Sequence, residues 1–393
     1  MIFDFLRNLA DLALFSIVIW AQWRIGSAIL AASKRRGPRA AALVRLLLAA
    51  AVAMLAAGFA LSFAEVSRIV QVPSWPRGVL NGGAFLWMFV GTGAYLIHWL
   101  WHLLLDRAGA GAFDPGRRKL VNAAGGTLAA VPFAMTGFGG IVQRTDFHVR
   151  EVDIAIPNLP RDLQELRVLQ LSDIHLGPFL SERELARVID ESRNLRPHLA
   201  VITGDLISMS GDPLDACLRQ IARLQPDAGI LGCMGNHEIY AGVQEYTAKQ
   251  GARLGIDFLR ERARPLRFGA ATLNVAGVDY QPQRRREHFL DGAERLIAAD
   301  AVNVLLSHNP NVFPIAARQG FDLTIAGHTH GGQVNVEILH QNLNVARFLT
   351  PYVYGRFNLD RASLYVSRGI GTINLPIRIG APPEITLLRL ISV

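Results

Sequence analysis

Cysteine is almost absent. The 393 residues hold two, Cys217 and Cys233, with no Cys-x-x-Cys spacing, which excludes that metal or redox motif and leaves each as a small buried apolar residue. Acidic residues are scarce in the front of the chain. Residues 1–150 carry fifteen Lys or Arg against six Asp or Glu, a net +9, whereas residues 151–393 carry twenty-five against twenty-six, a net −1. The overall +8 therefore belongs to the front, and the back lacks the basic excess of a nucleic-acid footprint, so no nucleic-acid partner is expected. Charge of either sign is missing from long stretches of the front.

Residues 46–63 and 79–105 contain no charged side chain, and each is long enough to span a bilayer. Residues 12–32 form a similar run interrupted by Gln22 and Arg24, and residues 121–142 form an uncharged one diluted by Gly, Thr and Pro132. Four such runs predict a membrane domain over 1–144 with about four transmembrane helices, and hence the lipid bilayer as a partner. An intramembrane arginine is costly, so Arg24 is expected either to meet a partner within the bundle or to snorkel. His98 and His102 lie four apart on one helix face and read as polar groups packed in the bundle or near its interface, or as a ligand pair. The first loop carries Lys34, Arg35, Arg36 and Arg39, and the third carries Arg107, Arg117, Arg118 and Lys119, against Arg68 and Arg77 in the second. By the positive-inside rule, loops one and three are cytoplasmic. The expected protein is multi-pass in the cell (inner or plasma) membrane, with everything after about residue 145 on the extracytoplasmic side. Arg117-Arg118 has two readings, plain positive-inside anchoring and an internal twin-arginine export signal.

After residue 145 the composition changes. Val149, Val152, Ile154 and Ile156 predict an opening strand. A short apolar run ending in a small residue and then in a polar group recurs five times, leading into Asp173-Ile174-His175, Asp205, Asn236-His237-Glu238, His308-Asn309 and His328-Thr329-His330. Each run has the length of a buried strand. Helical spacing appears over 181–192, which opens with a capping-box pattern, and over 215–224. Strands alternating with helices predict an α/β domain with its site at the strand ends. Gathering so many polar groups at one edge is costly without a ligand. If the backbone at His328 and His330 is extended, alternation turns both side chains to one site. Arg284, Arg285 and Arg286 read as a solvated surface run or as contacts to substrate phosphates or anionic lipid headgroups. Residues 341–359, with Phe348, Tyr352, Tyr354 and Phe357, read as an aromatic lip over the site or as core packing.

Asp-x-His, Gly-Asp, Gly-Asn-His-Glu, a later His and Gly-His-x-His, in this order over residues 147–393, resemble the calcineurin-like metallophosphoesterase family. Gly331-Gly332-Gln333, residues 365–371 and Pro382-Pro383-Glu384-Ile385 are similar to its bacterial membrane-linked branch and to transmembrane proteins with a metallophosphoesterase domain. One departure is Ser307, where the family pattern has glycine before His308. The resemblance implies a four-layer α/β/β/α sandwich over 145–393. It implies a metal-dependent phosphoric ester hydrolase with two divalent metal ions, Mn, Fe or Zn. One ion would be held by Asp173, His175, Asp205 and His330, the other by Asp205, Asn236, His308 and His328. His237 would be the general acid, and Glu238 a carboxylate that orients the ligands. The activity implied is hydrolysis of phosphomonoester or phosphodiester bonds by a metal-bridged hydroxide, with a lipid or cell-envelope ester as one substrate reading. Two alternatives stand beside it. One is a UDP-2,3-diacylglucosamine-type pyrophosphate hydrolase of lipid A synthesis, whose cytoplasmic substrate conflicts with the expected topology. The other is a non-catalytic metal-binding sensor or regulatory membrane protein.

Overall fold

The computed structural model describes residues 2–61, 70, 72–107, 114–335 and 344–393. They divide into two compact units, Met1–Phe138 with Asn374–Pro376, and Gly139–Ile373 with Ile377–Val393.

The first unit is built on helices α1 (Ile2–Lys34), α2 (Pro38–Ala60), α3 (Ser74–Arg107) and α4 (Pro115–Ile141). All four are long and apolar enough to cross a membrane. Their large apolar side chains stand outward, as at Trp23, Leu46 and Leu120, which are 63%, 68% and 72% exposed. A helix apolar all round is at home in lipid, where its backbone bonds are satisfied internally. Helices α1, α2 and α3 pack on one another. The approach of α2 to α3 is close: a Cβ on Gly58 would lie 2.6 Å from the Leu80 carbonyl oxygen. Arg24 has a partner within the helices, donating through Nε to Tyr95 Oη at 2.9 Å. Gln22 donates to Thr92 Oγ1 at 3.3 Å and accepts from Trp87 Nε1 at 2.9 Å. The His98 and His102 rings stand 4.4 Å apart, and among the described residues no third metal-binding side chain joins them. Arg77, expected in a loop, lies inside α3, while Arg68 falls outside the described residues. Asp114 Oδ1 accepts from the Gly116 and Arg117 amides and so caps α4, which places Arg117 and Arg118 in that helix's opening turns.

The second unit holds two six-stranded sheets. The first contains β1 (His148–Ile156), β2 (Arg167–Leu171), β3 (Leu199–Thr203), β4 (Ile230–Cys233), β5 (Ile256–Phe258) and β12 (Glu384–Ser392), in the order β1-β12-β2-β3-β4-β5. The second contains β6 (Arg262–Phe268), β7 (Ala271–Gly277), β8 (Val302–Leu306), β9 (Leu323–Ala326), β10 (Gly355–Leu359) and β11 (Ala362–Val366), in the order β10-β11-β9-β8-β7-β6. Strands β2 to β5 run parallel, as do β7, β8, β9 and β11. Period-2 alternation divides each strand between two cores. Val168, Leu199, Val201, Leu231, Val304, Leu323 and Ile325 meet between the sheets. Leu169, Leu171, Ala200 and Ile202 face outward onto helices α5 (Glu182–Asn194) and α6 (Leu214–Ile221). On the far side, Ala276 and Leu305 pack against Val312 and Ala316, and Ala326 and Leu364 pack against Phe313. The result is the expected four-layer α/β/β/α sandwich. Ser181 caps α5 through a complete capping box with Glu184.

Candidate metal centre

Every polar group predicted at a strand end sits where a parallel strand exits the sandwich. Asp173 and His175 follow β2, Asp205 follows β3, and Asn236 opens a short helix, Asn236–Ala241, after β4; His308 follows β8, and His328 and His330 follow β9. Crossing backbone bonds tie these exits together. Asp173 N donates to Gly204 O, His175 N to Asp205 O, and Gly327 N to His308 O. The backbone here is not extended. Asp173, His175, Asp205, His328 and His330 all have positive φ, between 49° and 75°. Left-handed turns, rather than the expected pleat, therefore aim His328 and His330. Such conformations cost about 1–3 kcal/mol each and persist where surrounding structure imposes them. Two glycines permit the crowding. A Cβ on Gly235 would lie 2.1 Å from Asp205 Oδ1, and one on Gly327 would lie 2.3 Å from Asp173 Oδ2.

Three groups of donor atoms, each within 4.8 Å, overlap: Asp173, His175 and His330; His175, Asp205 and His237; Asp205, His308 and His328. His330 Nε2 lies 3.2 Å from His175 Nε2 and 3.4 Å from Asp173 Oδ1. His308 Nε2 lies 3.0 Å from Asp205 Oδ2, 3.1 Å from Asn236 Oδ1 and 3.1 Å from His328 Nδ1. His330 thus presents Nε2 and His328 presents Nδ1. His308 Nδ1 lies 2.7 Å from the Thr203 carbonyl, an acceptor, so it carries the proton and Nε2 faces inward. His237 Nδ1 is held in the same way, 2.5 Å from the Ser208 carbonyl. Glu238 is no part of the donor groups. Its carboxylate accepts the amides of Asp205, Leu206 and Gly235 at 2.7–2.9 Å, fixing the loop that carries Asp205.

Asp173 and Asp205 are 0% and 2% exposed, and among the described residues their ion-pair partners are histidines. Burial pushes the Asp173 carboxyl up to about 6. Burial would raise Asp205 too, but the facing histidines, His308 first, outweigh it and hold that carboxyl well below the usual range. Burial opposes charge on His308, yet the Asp205 and Asp173 carboxylates prevail and push it up to about 10. Burial, reinforced by neighbouring histidines, lowers His175 and His328 to about 3 and lowers His330 as well. The neutral imidazoles of His175, His328 and His330, with His308 once it gives up its proton, converge on the carboxylates in a nitrogen and oxygen donor set that fits divalent transition ions.

Other expectations fall differently. Arg284, Arg285 and Arg286 are exposed on the short kinked helical segment Gln283–His288. The donor groups do not include them, although the charge of Arg284 is felt at Tyr280. Tyr352 packs edge-to-face on both Phe313 and Phe357 as core, and Tyr354 lies 4.2 Å beneath the Arg368 guanidinium. Residues 341–343 and the Phe348 side chain lie outside the described residues. Aromatic rings beside the site are instead Tyr280, 5.4 Å from the His328 ring and 6.0 Å from that of His308, and Tyr240, 6.3 Å from that of His237. Two further residues escaped the sequence reading. Gln170, fully buried on β2, joins the sheets beneath the site by donating to Thr203 Oγ1 at 2.9 Å and to the Ala326 carbonyl at 2.8 Å. Arg378, also fully buried, places Nη2 3.5 Å from His330 Nδ1.

The family profile described as Calcineurin-like phosphoesterase matches residues 166–332, the stretch that carries all these donors. An uncharacterized metallophosphoesterase of Campylobacter jejuni is 29% identical over 246 residues, covering 62% of this chain and 63% of that protein. A transmembrane protein with metallophosphoesterase domain from Danio rerio is 29% identical over 249 residues, covering 61% of this chain and 56% of that one. The chain therefore spans less than two thirds of the length of either. A relative from Aquifex aeolicus, also an uncharacterized metallophosphoesterase, is 30% identical over 254 residues, covering 62% of this chain and 91% of its own length. With nearly the whole of that relative matched and the strand-end donors in the profile's own stretch, the chain belongs to the calcineurin-like metallophosphoesterase family.

Proposed function

We propose that this chain is a two-metal phosphoesterase that hydrolyses phosphomonoesters or phosphodiesters at the outer face of the cell membrane, where its four long helices anchor it. The observation that supports this most is the overlap of the donor groups through His175 and Asp205, which suits two ions sharing ligands rather than one ion chelated alone. In this reading Asp173, His175, Asp205 and His330 hold one divalent ion, and Asp205, Asn236, His308 and His328 hold the other. Bound there, Mn, Fe or Zn would polarise phosphoryl oxygens and make water acidic enough to supply a nucleophile near neutral pH.

The chain's own residues do the rest. Asp205 sets the spacing of the two positions, and the three amides bound by Glu238 keep it from swinging away. His237 keeps Nδ1 on the Ser208 carbonyl, so Nε2 is the atom that delivers a proton to the departing alkoxide. Tyr280 closes one side of the site with an aromatic wall. The basic loops of the membrane unit favour the outside placement by the positive-inside rule, and a membrane tether favours a lipid or envelope ester as substrate.

The test uses the full chain in detergent, loaded with Mn, Fe(II) or Zn, on bis-p-nitrophenyl phosphate and p-nitrophenyl phosphate, then on phospholipids, nucleotides and sugar phosphates. Asp205→Asn should lower kcat by about 10³-fold or more, since the ligands act as a unit. Activity that survives both Asp205→Asn and His237→Ala would sink the mechanism, and an inert wild-type chain that still binds metal would favour a sensor. A C-terminal reporter found in the cytoplasm would instead turn the reading toward a nucleotide-linked glycolipid pyrophosphate.

A further inference from the structure

Arg378 is a buried cation with no carboxylate in direct contact, although the charges of Asp173 and Glu384 reach it. It is 0% exposed, and among the described residues no Asp or Glu lies within ion-pair distance of it. An unpaired buried charge of this kind is costly unless hydrogen bonds replace its water. Here backbone carbonyls do so. Nε donates to Gly371 O at 3.0 Å, Nη1 to Ala381 O at 2.9 Å and to His330 O at 3.4 Å, and Nη2 to Arg368 O at 2.9 Å, Gly369 O at 3.1 Å and Gly371 O at 2.5 Å. Five carbonyls from three stretches of chain thus converge on one planar fork, a geometry an ammonium group does not offer.

The caged loop leans directly on metal-ligand candidates. Gly371 N donates to Asp173 O at 2.7 Å, and Ile370 N to Ser172 O at 3.0 Å. A Cβ on Gly369 would lie 2.6 Å from Asp173 Cβ, so the loop is in contact with that side chain. The guanidinium also holds the His330 carbonyl and faces His330 Nδ1. His330 and Asp173 belong to one donor group, together with His175. Arg378 makes no hydrogen bond to Asn236, His308 or His328 among the described residues.

We propose that Arg378 is a positioning residue for one of the two metal positions, the one formed by Asp173, His175 and His330, and not for the other. Resting on the two-metal reading above, it makes the positions unequal in what supports them. Asp173 and His330 keep their aim because the 368–371 turn is clamped from behind, whereas Asn236 and His308 depend on β4 and β8, and His328 meets the clamp only through its amide, which donates to both Asp173 carboxylate oxygens at 3.0 Å.

The experiment counts Mn²⁺ bound by the full chain in detergent, by titration calorimetry and elemental analysis, in wild type, Arg378→Met, Arg378→Lys, Asn236→Ala and Arg378→Met with Asn236→Ala. Wild type should bind two ions. Both Arg378 variants should bind one, the lost position weakened about tenfold or more, as is typical when a group supporting a ligand is removed. Asn236→Ala should bind one, and the double variant none. Arg378→Lys keeps the charge but not the fork, so its loss separates positioning from charge. Two ions held at wild-type affinity in either Arg378 variant would overturn the proposal. So would tighter binding in Arg378→Met, which would mean that charge repulsion dominates. Loss of both ions, or failure of both variants to fold, would make Arg378 a general structural residue and overturn it equally. A wild-type chain binding fewer than two ions would instead defeat the two-metal reading on which this rests.

Discussion

The helical unit and the sandwich unit treat polar side chains in opposite ways. Among the helices, apolar groups face outward and several polar ones close off in small sets, Arg24 with Tyr95, and Gln22 with Thr92 and Trp87. In the sandwich, apolar groups fill the interior, yet Asp173, His175, Asp205, His308 and His330 are buried with them. These groups do not close off. His308 Nε2 alone has Asp205, Asn236 and His328 within 3.1 Å, and three donor groups overlap. A polar group satisfied by its neighbour needs nothing more, whereas a convergent set of lone pairs and carboxylates is stabilised by a cation that all can share. Burial of polarity is therefore informative only together with how it is satisfied.

The largest effect that would sharpen this contrast is expected at His237, which stands between the two categories. Its Nδ1 is closed off on Ser208, yet it also shares a donor group with His175 and Asp205. As general acid, His237→Ala should lower kcat by about 10²–10⁴-fold on an alkyl phosphodiester, and by much less on a p-nitrophenyl ester, whose leaving group needs no proton. Metal content should stay at the wild-type value. Equal losses on both esters together with loss of an ion would reassign His237 as a ligand.

The parts of the site legible in the sequence were those set by local chemistry. An apolar run, a small residue and a polar group mark a strand exit wherever they occur, so Asp173, Asp205, His308 and the His328–His330 pair were all visible. What aims the last pair was not legible, because φ of 75° and 52° at His328 and His330 depends on contacts from elsewhere in the chain. Gln170 was hidden inside an apolar run, since its partner Ala326 lies 156 residues away. Arg378, in the irregular stretch between β11 and β12, carries no periodic signal at all. Strand order was equally out of reach: β12, the last strand, inserts between β1 and β2, a non-local pairing that no window of sequence encodes.

A second test concerns protons. In the metal-free chain, His308 is pushed up to about 10 and Asp173 to about 6, and both must be deprotonated to bind a cation. From pH 10 down to 6, loading should release about one proton, from His308, and affinity should fall about tenfold per pH unit; below 6 Asp173 adds a second, and the fall steepens. Calorimetry in buffers of different ionisation enthalpy measures this directly. The contribution of His308 to the stability of the metal-free chain should move the other way. The folded value of His308 lies above its unfolded value of about 6.5, so the stabilisation is fully present below that pH and is lost as pH rises through 10. Metal binding with no proton release at pH 7–8 would mean that His308 is already neutral there, so that Asp205 and Asp173 do not hold it protonated.

The smallest effect is expected in the helical unit, and its smallness is the point. Gln22→Leu removes two bonds between α1 and α3 and leaves the Trp87 N–H without that partner. Bonds between membrane helices contribute about 0.6 kcal/mol on average, because the separated helices find other partners. Leucine also enters a bilayer more readily than glutamine, which offsets part of the loss. The net change in unfolding free energy should therefore be below about 1 kcal/mol in detergent, with kcat and metal content unchanged. A polar set that is closed off supports packing and nothing else. If Gln22→Leu instead lowers kcat severalfold at unchanged stability, the helices take part in the reaction, and the division between paired and convergent polarity fails as a guide to where the chemistry lies.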